Sequence, residues 1–173
     1  MPTFTTVFVL LLTMGLGACS PALNWREARI KGTDLIAMLP CKPDDGARVV
    51  PLAGRDVEMH MTGCDAAGAT FAIADVRSAQ GTVVPDVMGQ WRTATLANMG
   101  ARQSQDVPRK EVPGESPTST TMVLAQGQRK DGTPVMMQAV WFVRGTQVFH
   151  AVVYAQRIAP DMTETFFQGL KFQ

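Results

Sequence analysis

Residues 134–143 read Pro-Val-Met-Met-Gln-Ala-Val-Trp-Phe-Val. On an extended chain successive side chains point to opposite sides. Val135, Met137, Ala139, Trp141 and Val143 therefore share one face, and Met136, Val140 and Phe142 share the other. A strand that is apolar on both faces has protein packed against both, so this segment belongs at the centre of a layered domain. Residues 120–128 and 147–157 flank it and are also strand-like, with Asp131-Gly132 and Arg144-Gly145 as turn residues between the strands. The last third of the chain is thus predicted to be an antiparallel three-stranded meander.

A second meander is predicted upstream, from Val49 to Leu52, Val57 to Thr62 and Ala69 to Val76. Gly and Asp tolerate tight-turn backbone angles, and they fill both separators, Ala53-Gly54-Arg55-Asp56 and Asp65-Ala66-Ala67-Gly68. In its middle strand Val57, Met59 and Met61 alternate with Glu58, His60 and Thr62, as in a sheet with one buried face. Asn24 to Ile30 reads as a short strand, and Leu35 to Leu39, stopped by Pro40, fits either a strand or a helical turn.

Two helices complete the pattern. Pro85 opens one and Gly100 closes it, with Met88, Trp91, Thr95, Leu96 and Met99 in one stripe. Pro160-Asp161 opens the other, where Met162, Phe166 and Leu170 are four apart. Residues 102–119 hold three prolines, a glycine and mixed charge, and are expected to form an exposed, mobile loop. A loop of that length in a compact domain is a candidate binding loop, and Arg109-Lys110-Glu111 within it reads as solvated surface. Blocks of strands alternating with single helices predict an α+β fold: a mainly antiparallel sheet of two three-stranded meanders with helices packed on it. At 173 residues there is room for one domain, placed at 24–173.

This layout resembles the PsbP-like α/β/α sandwich of photosystem extrinsic proteins and small bacterial lipoproteins. The resembling pieces are Leu39-Pro40-Cys41-Lys42-Pro43 and the closing Phe166-Phe167-Gln168-Gly169-Leu170-Lys171-Phe172. The chain also resembles uncharacterised proteobacterial envelope lipoproteins of this length. A shared fold does not bring a function with it.

Residues 1–25 carry no charged side chain, and Phe4 to Met14 is an apolar stretch too short to span a bilayer. It fits the apolar core of a secretory signal. Leu16-Gly17-Ala18-Cys19 resembles a bacterial lipobox. The resemblance implies that 1–18 is a signal peptide removed before Cys19 and that Cys19 carries diacylglycerol and an acyl chain such as palmitate. It further implies that 19–23 tethers the domain to the membrane. Several acyl chains hold a protein stably where one does not. Ser20 after the cysteine resembles the outer-membrane default, which gives an expected site on the outer membrane facing the periplasm. Met1-Pro2-Thr3 departs from such signals in having no Lys or Arg.

With Cys19 acylated, Cys41 and Cys64 remain, and an even pair in an oxidising compartment reads as a disulfide. A separation of 23 is far from the two-residue spacing of redox pairs, and Glu58 and His60 nearby are too few ligands for a metal site. No metal or other cofactor is expected.

Lys+Arg 16 against Asp+Glu 15 argues against nucleic acid as a partner. No G-x-S-x-G, H-E-x-x-H, P-loop or dinucleotide fingerprint occurs, and Gly114-Glu115-Ser116-Pro117-Thr118 misses the nucleophile elbow at its last position. His60 reads as a half-exposed sheet residue and His150, among Val148, Val152 and Tyr154, as a hydrogen-bonded core or sheet histidine. Met59, Met61, Met136 and Met137 read as core filling rather than copper ligands. The expected function is a non-catalytic, membrane-anchored module that binds an envelope protein or a small apolar ligand. The alternative is an envelope enzyme with a site near His60.

Overall fold

A computed structural model describes residues 22–78, 84–117 and 121–173. The signal segment 1–18 and the lipobox residue Cys19 lie outside the described residues. Ten strands and two helices follow in order: β1 Arg26–Arg29, β2 Leu35–Leu39, β3 Asp44–Leu52, β4 Arg55–Ala66, β5 Ala69–Arg77, α1 Val84–Asn98, β6 Gln103–Pro108, β7 Thr121–Gln128, β8 Pro134–Arg144, β9 Gln147–Ala155, α2 Pro160–Gln168 and β10 Lys171–Phe172. One antiparallel sheet has the order β3-β4-β5-β9-β8-β7-β6, and a smaller one has the order β1-β2-β10.

This corrects the expected helices-on-sheet α+β architecture and, with it, the PsbP-like sandwich. Strands make up 52% of the described residues and helices 17%. The two meanders fuse, because β5 pairs with β9 along its whole length, from Ala69↔Ala155 to Arg77↔Gln147. One face of the resulting seven-stranded sheet is closed largely by another sheet. The Leu35–Leu39 run settles as a strand between β1 and β10, with Ile36 opposite both Arg29 and Lys171.

Local chemistry explains the long hairpins. Leu52↔Arg55 and Ala66↔Ala69 leave two-residue loops, Ala53-Gly54 and Ala67-Gly68. All four residues have positive φ, between 50° and 74°. Loops of that kind match the twist of the flanking strands. The glycines accept this conformation freely and the alanines at some cost.

Two apolar layers sandwich the large sheet. On one face Phe71, Ile73, Phe142 and Phe149 pack with Leu35 and Leu39 of the small sheet and Phe166 of α2. Phe142 stacks on Phe149 at 5.2 Å, and Phe71 meets Phe166 edge-on at 5.6 Å. Each such side chain, fully buried, contributes roughly 2 to 3 kcal/mol. On the other face Met59, Val76, Met137, Trp141 and Val152 lie under Val87 and Trp91 of α1. The end of α1 sits tight on β7: the Gln128 amide donates to the Met99 carbonyl at 2.8 Å. A Cβ on Gly127 would run into that same carbonyl.

Cys41, just after β2, is disulfide-bonded to Cys64 on β4, which ties the small sheet to the large one. Closing a loop of about 24 residues contributes roughly 3 kcal/mol through the unfolded chain. Cys41→Ser is therefore expected to lower the urea unfolding free energy by about that amount. Equal midpoints for the variant and the oxidised wild type would refute it.

The expected mobile loop at 102–119 is also corrected. Residues 103–108 form β6, paired with β7 from Gln103↔Gln126 to Pro108↔Thr121. Val112 is in the core at 4% exposure. Three further contacts fix the segment: Ser116 N–H to Val143 O at 2.7 Å, Phe172 N–H to Pro113 O at 2.9 Å, and Arg144 Nη1 to Gly114 O at 2.5 Å. Arg109 is not solvated surface, because its side chain is 5% exposed and ion-paired to Glu115. Residues 118–119 of that range lie outside the described residues.

Candidate functional site

The main cleft follows from a mismatch of widths. Seven strands at about 4.8 Å spacing span roughly 29 Å, whereas one helix with its side chains covers about 10–12 Å. On the face that carries α1, part of the β3–β4–β5–β9 surface therefore stays uncovered. A groove of about 860 Å³ runs there, walled by Val50, Leu52, Met59, Met61, Ala72, Ala74 and Val152, with Trp91 and Thr95 of α1 and Met99 just after it along one side.

Alternation places these side chains. Ala72 opposes Val152, Ala74 opposes His150 and Thr70 opposes Tyr154, so every second residue of β5 and β9 faces the groove. Met61, Ala72 and Tyr154 are half-buried with no protein layer above them. Burial pushes the Tyr154 hydroxyl up to about 12, which keeps it neutral. The rim holds Arg48 from β3 and Arg129 and Lys130 from the β7–β8 turn, and no Asp or Glu is among the described residues that line the groove.

His150 forms part of the floor. Its ring stacks on Trp141 at 4.4 Å and 11°, and Trp91 meets it edge-on at 5.4 Å. This is a core histidine held by aromatic stacking, and its Nε2 has no hydrogen-bond partner among the described residues. Burial drives its pKa down to about 3. Both protonation states of a general base must be reachable near working pH, so His150 is unsuited to that role.

His60 lies on the other face of β4, half-exposed, with Nε2 3.5 Å from Glu58 Oε2. Its cross-strand partner is Asp75, which is 3% exposed. Burial raises the Asp75 carboxyl, partly offset by His60, Arg77 and Gln147. The two residues share a polar cavity of about 410 Å³ with Asp45, Thr62 and Arg77. The Thr62 hydroxyl is committed to Asp45 Oδ1 at 2.6 Å. Geometry thus brings a histidine and a buried carboxylate together without an activated nucleophile beside them.

Of the methionines, Met59 and Met61 line the groove, and Met136 and Met137 point to opposite faces of β8. Among the described residues no three His, Cys, Asp or Glu side chains are grouped to hold a metal ion. The groove residues missed by sequence reasoning are Arg48, Arg129, Lys130, Ala72 and Val152. The cations read individually as ordinary surface charge, and nothing in the pattern announces that α1 leaves the sheet half covered.

No protein-family model matches the sequence, and no curated protein matches it. Among solved structures it is similar to the Pseudomonas aeruginosa protein of unknown function PA94, with 17% identity and a TM-score of 0.34. That similarity covers 81% of this chain and 88% of the other.

Proposed function

We propose that this chain is a lipid-anchored binding module of the bacterial envelope. In this reading it is held by acylated Cys19 and takes a small apolar ligand into the groove beside α1, without catalysis. The observation that carries the ligand reading is the groove of about 860 Å³ with its apolar walls. Small-molecule sites are concave, mostly apolar and of about 300–1,000 Å³. An envelope protein partner is the other expected occupant, but the loop that motivated it is edge strand and anchored turn, so the groove is the better site.

The anchor reading rests on Leu16-Gly17-Ala18-Cys19 and Ser20. In that reading the tether has a short reach. The Asn24 amide is fixed to the Pro40 carbonyl at 2.8 Å, and a stretch from Cys19 to Asn24 spans at most about 17 Å. The domain then stands against the bilayer surface. No helix among the described residues is long and apolar enough to cross a membrane.

Cys19→Ala tests the anchor. Wild type is expected to fractionate with the outer membrane and to take up labelled palmitate, whereas the variant does neither. Palmitate label that persists on Cys19→Ala would overturn the acylation site. In-cell crosslinking of wild type followed by mass spectrometry is expected to recover a small molecule on groove peptides. Recovery of a stoichiometric protein partner instead would refute the ligand reading.

A further inference from the structure

We infer that the groove takes a long-chain fatty acid anion, its carboxylate held by Arg129 and Lys130 and its chain laid along the β5–β9 face. The inference deepens the binding reading above and rests on it.

Charge is the first argument. Basic and acidic residues nearly balance over the whole chain, at 16 and 15. Among the described residues that line this cleft, Arg48, Arg129 and Lys130 are the charged ones, and the nearby carboxylates are Asp65, bonded to Thr70, and Asp131 in the Arg129–Lys130 turn. None of the three is ion-paired among the described residues. Asp131 shares the turn with Arg129 and Lys130; its Oδ1 accepts the Thr133 amide at 2.9 Å and its charge also acts on Arg129, which leaves Lys130 as the freer cation of the turn. A low-dielectric cleft with cations at its mouth concentrates field on an anion.

Placement is the second. The register sets the β7–β8 turn at the same end of the large sheet as Thr70 and Tyr154, which oppose each other. The Tyr154 hydroxyl and two cations therefore gather at one end of the groove, where the Thr70 hydroxyl is committed to Asp65 Oδ1 at 2.5 Å. Neutral Tyr154 remains a hydroxyl donor, and carboxylates accept from such donors. Away from that end the floor turns to Met59, Ala74, Trp91 and Leu52, with Arg48 on the rim opposite Met59. A polar end followed by an apolar run matches one headgroup and one chain.

The floor is the third argument. It is the face of a fully paired sheet, so it offers side chains and no free backbone groups. A peptide added as a strand would need main-chain partners there, and an acyl chain needs none. In the anchored reading the polar end is also the end that carries the disulfide: Cys64 lies three residues before the Ala67-Gly68 turn, which shares that edge, and Cys41 is bonded to it.

The test uses full mature lipoprotein in phosphatidylcholine vesicles, a palmitate carrying a photoactivatable diazirine in its chain, and the fatty alcohol with the same diazirine. Palmitate is expected to label peptides containing Met61 or Val152 saturably, with the alcohol about tenfold weaker. Arg129→Glu/Lys130→Glu changes only an exposed turn, so it should leave the melting curve unchanged. It should cut palmitate labelling about tenfold, the equivalent of two surface charge pairs. Ala72→Trp fills the groove and should abolish labelling by both probes. Equal labelling by the alcohol with no effect of charge reversal would overturn the fatty acid assignment and leave the groove as an apolar binding site. Absence of groove labelling by either probe would overturn both readings.

Discussion

Glu115→Ala is expected to destabilise the protein by about 3 to 5 kcal/mol, although Glu115 lies in a stretch rich in proline and charge. Its carboxylate accepts from Arg109 Nη1 at 3.0 Å and Nη2 at 2.8 Å, and its Oε1 also accepts the Val112 amide at 3.1 Å. Both side chains of the pair are 5% exposed. Truncating Glu115 leaves a guanidinium buried without its carboxylate and an amide without its acceptor, and each of those costs more than the intact pair contributes. The segment carries Val112 into the core and holds β10 through Pro113, so the damage reaches the small sheet. In thermal melts this should appear as a fall of roughly 10 °C or more. Glu111→Ala, at an exposed neighbour, should shift stability by no more than about 0.5 kcal/mol. Arg109→Met/Glu115→Leu should recover most of the loss, since replacing both charges by apolar groups removes the buried guanidinium together with the carboxylate it pairs with. A Glu115→Ala protein that melts with wild type would show that the pair carries no stability.

Legibility in this sequence divides by the range of the interaction. Strands β4, β5, β7, β8 and β9 show in period-two patterning because each side chain reports its own face. Alternation does not report neighbours, however. Nothing in Ala69 to Arg77 says that its partner is Gln147 to Ala155, so the expected sheet of two meanders carries no statement of which strands join them. β6 was invisible for a different reason. Gln103 to Pro108 is an edge strand with no buried face, held by backbone bonds to β7 and by the exposed Arg92–Asp106 pair. Polar edges of this kind are what composition reads as loop. The buried Arg109–Glu115 pair was misread because its partner lies six residues away in a turn, not at a helical or strand spacing. The groove was illegible because it is a deficit of cover: each wall residue fits an ordinary core, and only the width of the assembled sheet against a single helix opens it.

Below pH 6.5 the wild type is expected to lose stability at up to a little over 1 kcal/mol per pH unit because of His150. The folded imidazole has its pKa driven down to about 3 by burial, from an ordinary value of 6.5. Between those values the unfolded chain binds a proton that the folded chain refuses. Stability therefore rises with pH across this window and is flat with respect to His150 above it. Asp75 acts in the opposite sense. Its carboxyl is raised by burial above the ordinary 3.8, so its contribution falls as pH climbs from 3.8 through the raised value. It offsets part of the His150 slope above pH 3.8, up to that raised value. His150→Phe isolates the effect, because a phenyl ring keeps the place between Trp91 and Trp141 and cannot titrate. Urea unfolding of wild type and His150→Phe at several pH values from 7.5 to 4.5 should give curves that diverge as pH falls, with the variant losing less. Parallel curves would mean that the folded protein accommodates an imidazolium at that position. The aromatic stack would then have to open without unfolding, and because His150 and Trp91 both line the groove, the site would open with it.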